Sequence, residues 1–365
     1  MRFGVRYALA HCNGTMAVLT AMWAAGLRRG DELICPSITC WASALPAFAL
    51  GATVRFADIQ AESLCLDPAE IDRLITPRTR AVLVVHYCGH PADMDAIMQA
   101  ARRHKLKVIE DVSHAQGAMY KGRMCGSIGD VAAASLMGAK SLVAGEGGMI
   151  TTNDPAVYEA AVAFAHYERH KHVITSPHFI DLVGLPLGGV KGRLNQMASA
   201  FGRVQLKHYA ARIAEIDRAM TRFWDLLEEV PGLAAHRPLS PDLTMGGWYN
   251  PISHYRPEEL GGLPVEKFIE AVNAEGGRTG RGVNFPLHQH PVFRQADIYG
   301  DGCPTNNAFA GQDVREAIGR LPVSEALAAR ALGIPWFKHD RPELIGRYAA
   351  AYRKVAQHAH ALVTD

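Results

Sequence analysis

From residue 7 to residue 152 the chain alternates short β-rich runs with helical stretches, and this alternation constrains its fold more than any other feature. Residues 7–10, 32–36, 53–57, 81–86, 106–109, 131–136 and 149–152 read as strands. Helices are predicted over 16–26, 42–50, 67–75 and 91–104. The third has Asp67 at its start and Pro68 at its first position, and the fourth carries apolar residues at helical spacing. Strands separated by helices pack most simply as an α/β domain around a largely parallel sheet.

The rhythm breaks at residues 166–192, a stretch of histidines, prolines and glycines that reads as a long functional loop. A helix over 194–230 then leads into a region with strands expected at 248–254 and 282–286 and helices at 265–275, 308–320 and 342–362. The expected division is a large domain over 1–230 and a smaller α+β domain over 231–365, which a chain of 365 residues can supply with two cores. A net charge of +2 argues against nucleic acid or a membrane surface as partner. No apolar run approaches a membrane span, and the first residues show no cleavable signal pattern. Seven cysteines without a CxxC pair suit reduced thiols, so a cytoplasmic location is expected.

Residues 110–148 carry the chemistry. Asp111 closes the apolar run that begins at Lys107, and carboxyl ends of strands in open α/β sheets are where ligands bind. Lys140 sits among Gly138, Ala139 and Ser141, ahead of the pair Gly147-Gly148. An acid that keeps a ring nitrogen protonated, and an amine from a neighbouring loop that forms a Schiff base, is the layout that holds pyridoxal 5'-phosphate (PLP). A nucleophilic lysine needs a lowered pKa, which partial burial supplies. His114 could reach the same ring from the side. Ser135 and the turn Asn13-Gly14-Thr15 suit a phosphate, the turn because a helix N-terminus presents free amides. Trp41 could stack on the ring. Each residue alone has a plain structural reading: a solvated loop lysine, a helix cap at Asp111, a structural histidine, an N-cap or glycosylation sequon at 13–15, a core tryptophan. His166 and His170 stand at i,i+4 spacing, but no carboxylate–histidine motif accompanies them, so no metal is expected. A nicotinamide enzyme would need a GxGxxG turn after the first strand, and there is none.

The ordered set resembles the DegT/DnrJ/EryC1/StrS family of PLP-dependent aminotransferases, which have the aspartate-aminotransferase fold (fold type I). The resemblance rests on Asn13-Gly14-Thr15, Trp41, Glu110-Asp111 through His114 to Gly117-Ala118, Ser135 to Lys140, and Ala144 to Gly148. It implies a large domain with a mostly parallel mixed sheet, a smaller C-terminal domain, and PLP bonded to Lys140. Asp111 would take the pyridine nitrogen, His114 the phenolic-oxygen side, Trp41 the ring face, and Asn13, Gly14, Thr15 and Ser135 the phosphate. It further implies a homodimer with shared active sites. Where the family often has an asparagine reaching the partner's phosphate, this chain has Lys191, which can serve as a point charge. Family members usually carry a further N-terminal helix and loop; the sequence opens almost directly at the phosphate-turn strand, so that element is expected to be missing.

The function implied is transfer of an amino group from glutamate or glutamine to a keto sugar, usually nucleotide-linked, or to a keto-cyclitol. His288, His290, Arg278 and Arg281 are the expected acceptor contacts. The competing readings are a dehydratase or aromatising synthase of the 3-amino-5-hydroxybenzoate synthase type and a catalytically silent PLP-binding subunit.

Overall fold

The computed structural model describes residues 3–166, 172–182, 184–238, 240–311 and 319–363. Its first nine strands are β1 (Tyr7–His11), β2 (Glu32–Pro36), β3 (Thr53–Ala57), β4 (Thr79–Val85), β5 (Lys107–Asp111), β6 (Met119–Tyr120), β7 (Arg123–Met124), β8 (Val131–Ser135) and β9 (Gly148–Thr152). Seven of them form one sheet in the order β1-β9-β8-β5-β4-β2-β3. Strands β2, β3, β4, β5 and β8 pair in parallel, and β9 alone runs against its neighbours β8 and β1. The central strands are buried on both faces, which is why they read as continuous apolar runs rather than alternating ones.

Crossover helices supply the burial. Helix Met94–Arg103 links β4 to β5, starts where Asp93 accepts the Ala96 amide (3.3 Å), and buries Met94, Ile97, Ala100 and Ala101. Helix Gly14–Ala24 packs on β8 and β9. Val85, Asp111 and Ala133 stand in register, so the ends of β4, β5 and β8 form a common rim. The segment returning from β8 to antiparallel β9 passes over that rim and carries Lys140.

Five further strands follow among the described residues: β10 (Leu233–Ala235), β11 (Leu243–Thr244), β12 (Ile252–Tyr255), β13 (Gly280–Arg281) and β14 (Ala331–Gly333). Strands β10, β12, β14 and β13 make an antiparallel sheet, while β11 joins β6 and β7. A second core, with Phe223, Tyr255, Phe268 and Tyr352 among its largest side chains, unites that sheet with helices Val265–Ala274 and Pro342–Gln357. Helix Gln196–Leu226 begins where Asn195 accepts the Ala198 amide and contributes its C-terminal half to this core. No helix among the described residues is long and apolar enough to cross a membrane.

Several expected elements differ. The stretch 42–50 divides into a 3-10 turn, Trp41–Ser43, and a short helix, Pro46–Ala49, because Pro46 cannot continue a helix and starts a new one instead. The strand expected from 248 begins only at Ile252, since Trp248 and Asn250 take φ of 48° and 52°. No strand covers 282–286: β13 ends at Arg281, Gly282 packs on the Gly333 backbone, and the Asn284 amide donates to the Tyr87 hydroxyl (3.0 Å). Of the helix expected over 308–320, residues 308–311 are not helical, and 312–318 lie outside the described residues. Pro68 caps its helix rather than opening it, and the last helical stretch is two, Pro342–Gln357 and Ala359–Val363.

Candidate active site

Alternation along β5 sends Glu110 and Asp111 to opposite faces of the sheet. Glu110, fully buried, accepts amides from Gly126, Ile128 and Gly129 and pairs with His86 Nε2 (3.0 Å), fixing the turn that precedes β8. Asp111 lines a cavity of about 450 Å³ at the strand ends. Its Oδ2 accepts from Ser43 Oγ (2.7 Å) and its Oδ1 from the Ser113 amide (3.0 Å). Because Ser43 spends its proton on Asp111, the Thr39 hydroxyl 2.9 Å away donates to Ser43, a chain of donors that ends on the carboxylate.

Lys140 enters the same cavity from the segment between β8 and β9 and is only 8% exposed. That segment is clamped by Gln116, whose Nε2 donates to the Ser135 carbonyl (2.8 Å) and whose Oε1 accepts the Leu142 amide (2.5 Å). Burial lowers the Lys140 pKa from 10.5 to about 8, against the opposing pull of Asp111. The ammonium lies 3.6 Å from the Tyr249 ring centroid. His114, also buried, accepts the Cys88 amide at Nδ1 (3.3 Å), and burial followed by the nearby Lys140 holds its pKa well below 6.5. A neutral imidazole accepting at Nδ1 carries its proton on Nε2 and can donate from there.

At the other side of the cavity, Asn13 caps helix Gly14–Ala24 by accepting the Met16 amide (2.8 Å). Gly14 meets the end of β8 so closely that a Cβ there would stand 2.6 Å from that of Ser135. The turn Asn13-Gly14-Thr15 and Ser135 therefore line one wall, where first-turn amides lack helical partners. Trp41, 54% exposed, lies at the rim. The residues present fit PLP: an acid, an amine, a neutral donor, an aromatic plane and a small-residue anion turn border one cavity, with no side chain at Gly14 to crowd it.

Other expected contacts lie elsewhere. Lys191 is exposed and does not line the cavity of its own chain, although Gly192 beside it accepts the Cys12 amide (2.6 Å), next to the anion turn. His288 pairs with Ser37 Oγ (2.7 Å) and Glu325 (3.4 Å) and borders a separate cavity of about 170 Å³. Arg281 pairs with Glu266 (2.9 Å), and the Arg278 carbonyl accepts from Tyr352. His288 and Arg281 thus have side-chain partners of their own, and neither they nor Arg278 line the main cavity within one chain. His290 caps the helix Pro291–Arg294 and borders an apolar groove that shares Thr39, Trp41 and Asn284 with the main cavity. In the histidine-rich stretch, His166 packs edge-on against His11 and His178 against Phe179, while His170 is outside the described residues.

Sequence reasoning missed Ser43, Gln116, Tyr249, Asn250 and Asn284. Gln116 stood inside the Glu110-to-Ala118 motif, with an amide able to donate and accept at once. Tyr249 and Asn284 carried no local signal, since loops bring them to the rim.

A mixed α/β sheet with a buried lysine and a carboxylate at its strand ends, beside a small-residue anion turn, defines a PLP-dependent transferase of fold type I. The chain belongs to the DegT/DnrJ/EryC1/StrS aminotransferase family, whose model matches residues 2–347, and it is a PLP-dependent aminotransferase. It is 31% identical over 90% of its length to a putative L-glutamine:3-amino-2,3-dideoxy-scyllo-inosose aminotransferase of Micromonospora echinospora, covering 76% of that protein. It is 31% identical over 91% of its length to GDP-perosamine synthase of Escherichia coli O157:H7, covering 81% of that protein. The X-ray structure of the aminotransferase from Psychrobacter cryohalolentis matches it with a TM-score of 0.83 at 27% identity, over 98% of this chain and 89% of that one.

Proposed function

We propose that the protein transfers an amino group from glutamine or glutamate to the ketone of a polyhydroxylated ring, a keto-cyclitol or a nucleotide-linked keto sugar. The observation that carries this reading is the meeting of a buried Lys140 and a hydrogen-bonded Asp111 in one cavity, in a chain similar to L-glutamine:scyllo-inosose aminotransferase of Streptomyces griseus.

Bound PLP supplies an electron-withdrawing ring that stabilises negative charge on the carbon losing its proton. Asp111, held by Ser43 and Ser113, would accept the ring N–H and keep that nitrogen protonated. Nε2 of His114 would donate to the ring's oxygen side, and Trp41 would cover a ring face. Asn13, Gly14, Thr15 and Ser135 bind the phosphate. Lys140 would hold the cofactor's aldehyde carbon, and its free amine would be the group that carries the proton. A pKa near 8 rather than 10.5 makes its neutral form roughly 300-fold more abundant at pH 7, which suits a base that must also be reprotonated.

The active unit is a homodimer in which Lys191 reaches the partner's phosphate. Exposed Met197, Phe201 and Val204, on one face of helix Gln196–Leu226, support an apolar contact between subunits. The division into a large domain over 1–230 and a small one over 231–365, and residence in the cytoplasm, complete the reading.

Two measurements test it. Borohydride reduction and peptide mapping should leave a phosphopyridoxyl group on Lys140; its absence from a cofactor-saturated sample removes the assignment. Glutamine or glutamate should convert the cofactor spectrum to the amine form, and a keto-cyclitol or keto sugar should restore it. A spectrum that no member of either acceptor class restores would remove amination of such rings.

A further inference from the structure

Tyr249 is held more tightly than a cavity wall requires. It stands in a turn just before β12, between Trp248 and Asn250, both non-glycine residues in the left-handed region. Such conformations persist only where the surroundings over-determine them. Here they do. The Gly247 amide donates to the Gln116 carbonyl (3.0 Å), and the Gly247 carbonyl accepts from Trp336 Nε1 (3.0 Å) and from Ser141 Oγ (3.3 Å). Trp248 Nε1 donates to Asp217 (2.9 Å), and Asn250 Nδ2 to the Gly282 carbonyl (3.0 Å). Ser141 and Gln116 also belong to the support of the Lys140 segment, so the turn and the lysine share one frame. The ring is flanked by His114 at 4.6 Å and by Trp336 edge-on at 5.5 Å, which leaves a face to the Lys140 ammonium 3.6 Å from its centroid.

An aromatic face is electronegative and attracts a cation at this distance, most of all where water is excluded. The titratable groups that face Lys140 are Asp111, Cys40, Cys88, His114 and Tyr249 itself. Asp111 already accepts two hydrogen bonds, and His114 is neutral. The ring therefore gives the amine a second resting direction, away from the carboxylate. We propose that the face of Tyr249 is where the Lys140 amine docks whenever it is not bonded to the cofactor, which makes Tyr249 a positioning residue for proton transfer. The inference rests on the reading of Lys140 as the cofactor-bonding amine.

The test is the titration of Lys140 in the full chain freed of cofactor, read by the pH dependence of trace acylation at that residue. Tyr249→Leu removes the π face, and the neutral fraction of Lys140 at pH 7 should rise on the order of tenfold. Tyr249→Phe keeps the face and should stay within about threefold of the parent. Because the leucine variant can also perturb the turn, phenylalanines bearing one, two and three ring fluorines at position 249 supply a series of nearly constant shape. The lysine should become easier to deprotonate with each fluorine. A titration indifferent to fluorination overturns the proposal. Borohydride mapping of the same proteins separates the two failures: a phosphopyridoxyl group on Lys140 with a flat fluorine series sinks only the Tyr249 role, whereas no group on Lys140 in the parent sinks the underlying assignment as well.

Discussion

Ser43 Oγ lies 2.7 Å from Asp111 Oδ2 and donates to it, tying the 3-10 turn after β2 to the end of β5. Hydrogen bonds to buried charged groups contribute about 1.5–3 kcal/mol, and losing the donor leaves a carboxylate oxygen unpaired. Ser43→Ala should therefore destabilise the cofactor-free chain by about that amount. Urea unfolding at pH 7.5 measures it, and an unchanged midpoint would mean that water replaces the hydroxyl without cost.

Asp111 and Lys140 should fail in different ways. Lys140→Ala should still bind cofactor yet give no reducible link to the chain, and turnover with added acceptor should fall by 10²–10⁴-fold or more, the usual worth of a positioned base. Asp111→Ala should retain the link but greatly slow conversion to the amine form. Stopped-flow absorbance with donor alone distinguishes the two, and parental kinetics in either variant would remove that residue from the chemistry.

The lowered pKa of Lys140 sets a pH for cofactor loading. Only the neutral amine attacks an aldehyde, so the rate of PLP incorporation should rise tenfold per unit below about pH 8 and level off above it. A surface lysine would continue to rise towards pH 10.5. Absorbance during reconstitution from pH 6 to 10 reports the midpoint, and a break near the ordinary lysine value would contradict the burial argument.

Gly14 is required by space rather than by φ. A methyl there would press on the Cβ and the backbone of Ser135, and overpacking of this kind costs about 1–3 kcal/mol. Gly14→Ala should weaken retention of PLP through the displaced anion turn, and adding Ser135→Gly should recover stability but not all of the cofactor affinity, since the hydroxyl is lost. Equal recovery of both would show that Ser135 contributes only volume.

The parts of this architecture that were legible in the sequence were those set by local chemistry. Strand β4 could be read because a parallel strand covered on both faces carries a continuous apolar run, here Ala81 to Val85. Asp111 and Lys140 could be read only as part of an ordered set with Asn13-Gly14-Thr15, Trp41, His114 and Ser135, since each alone has a plain structural reading. Tyr249 was hidden because its position depends on left-handed backbone at Trp248 and Asn250, which neither residue type announces. His288 and Arg281 show the opposite difficulty: polar type suggested ligand contact, and the structure gives them Ser37, Glu325 and Glu266 as side-chain partners that their own residue types do not announce.

His90, His236 and His254 cluster between the turn after β4 and the antiparallel sheet, with His236 Nδ1 3.1 Å from His254 Nε2. Burial lowers all three pKa values, that of His90 to about 4. Their unfolded values lie near 6.5, so below that pH the unfolded chain binds protons that the folded chain refuses. Stability is complete above pH 6.5 and is lost as the pH falls towards 4, by up to about 1.4 kcal/mol per unit for each histidine. Urea unfolding at pH 7.5 and 5 should show the loss, and the double variant His90→Gln/His254→Gln should flatten it. An unchanged slope would place the acid sensitivity elsewhere.

Lys191 decides whether the site is shared. If it serves the partner's phosphate, then Lys140→Ala and Lys191→Ala damage different subunits of the same site. Mixing the two inactive proteins under conditions that exchange subunits would place both changes in one site of each hybrid dimer and leave the other site intact. Random exchange at equal amounts makes half the dimers hybrid, so about a quarter of parental activity should return. If Lys191 acts within its own chain, every site in the mixture carries one change and nothing returns. The control is Phe201→Asp, which puts a charge on the exposed apolar face with Met197 and Val204 and should leave a monomer by sedimentation at micromolar concentration. Recovery that survives in that monomer would refute the shared site.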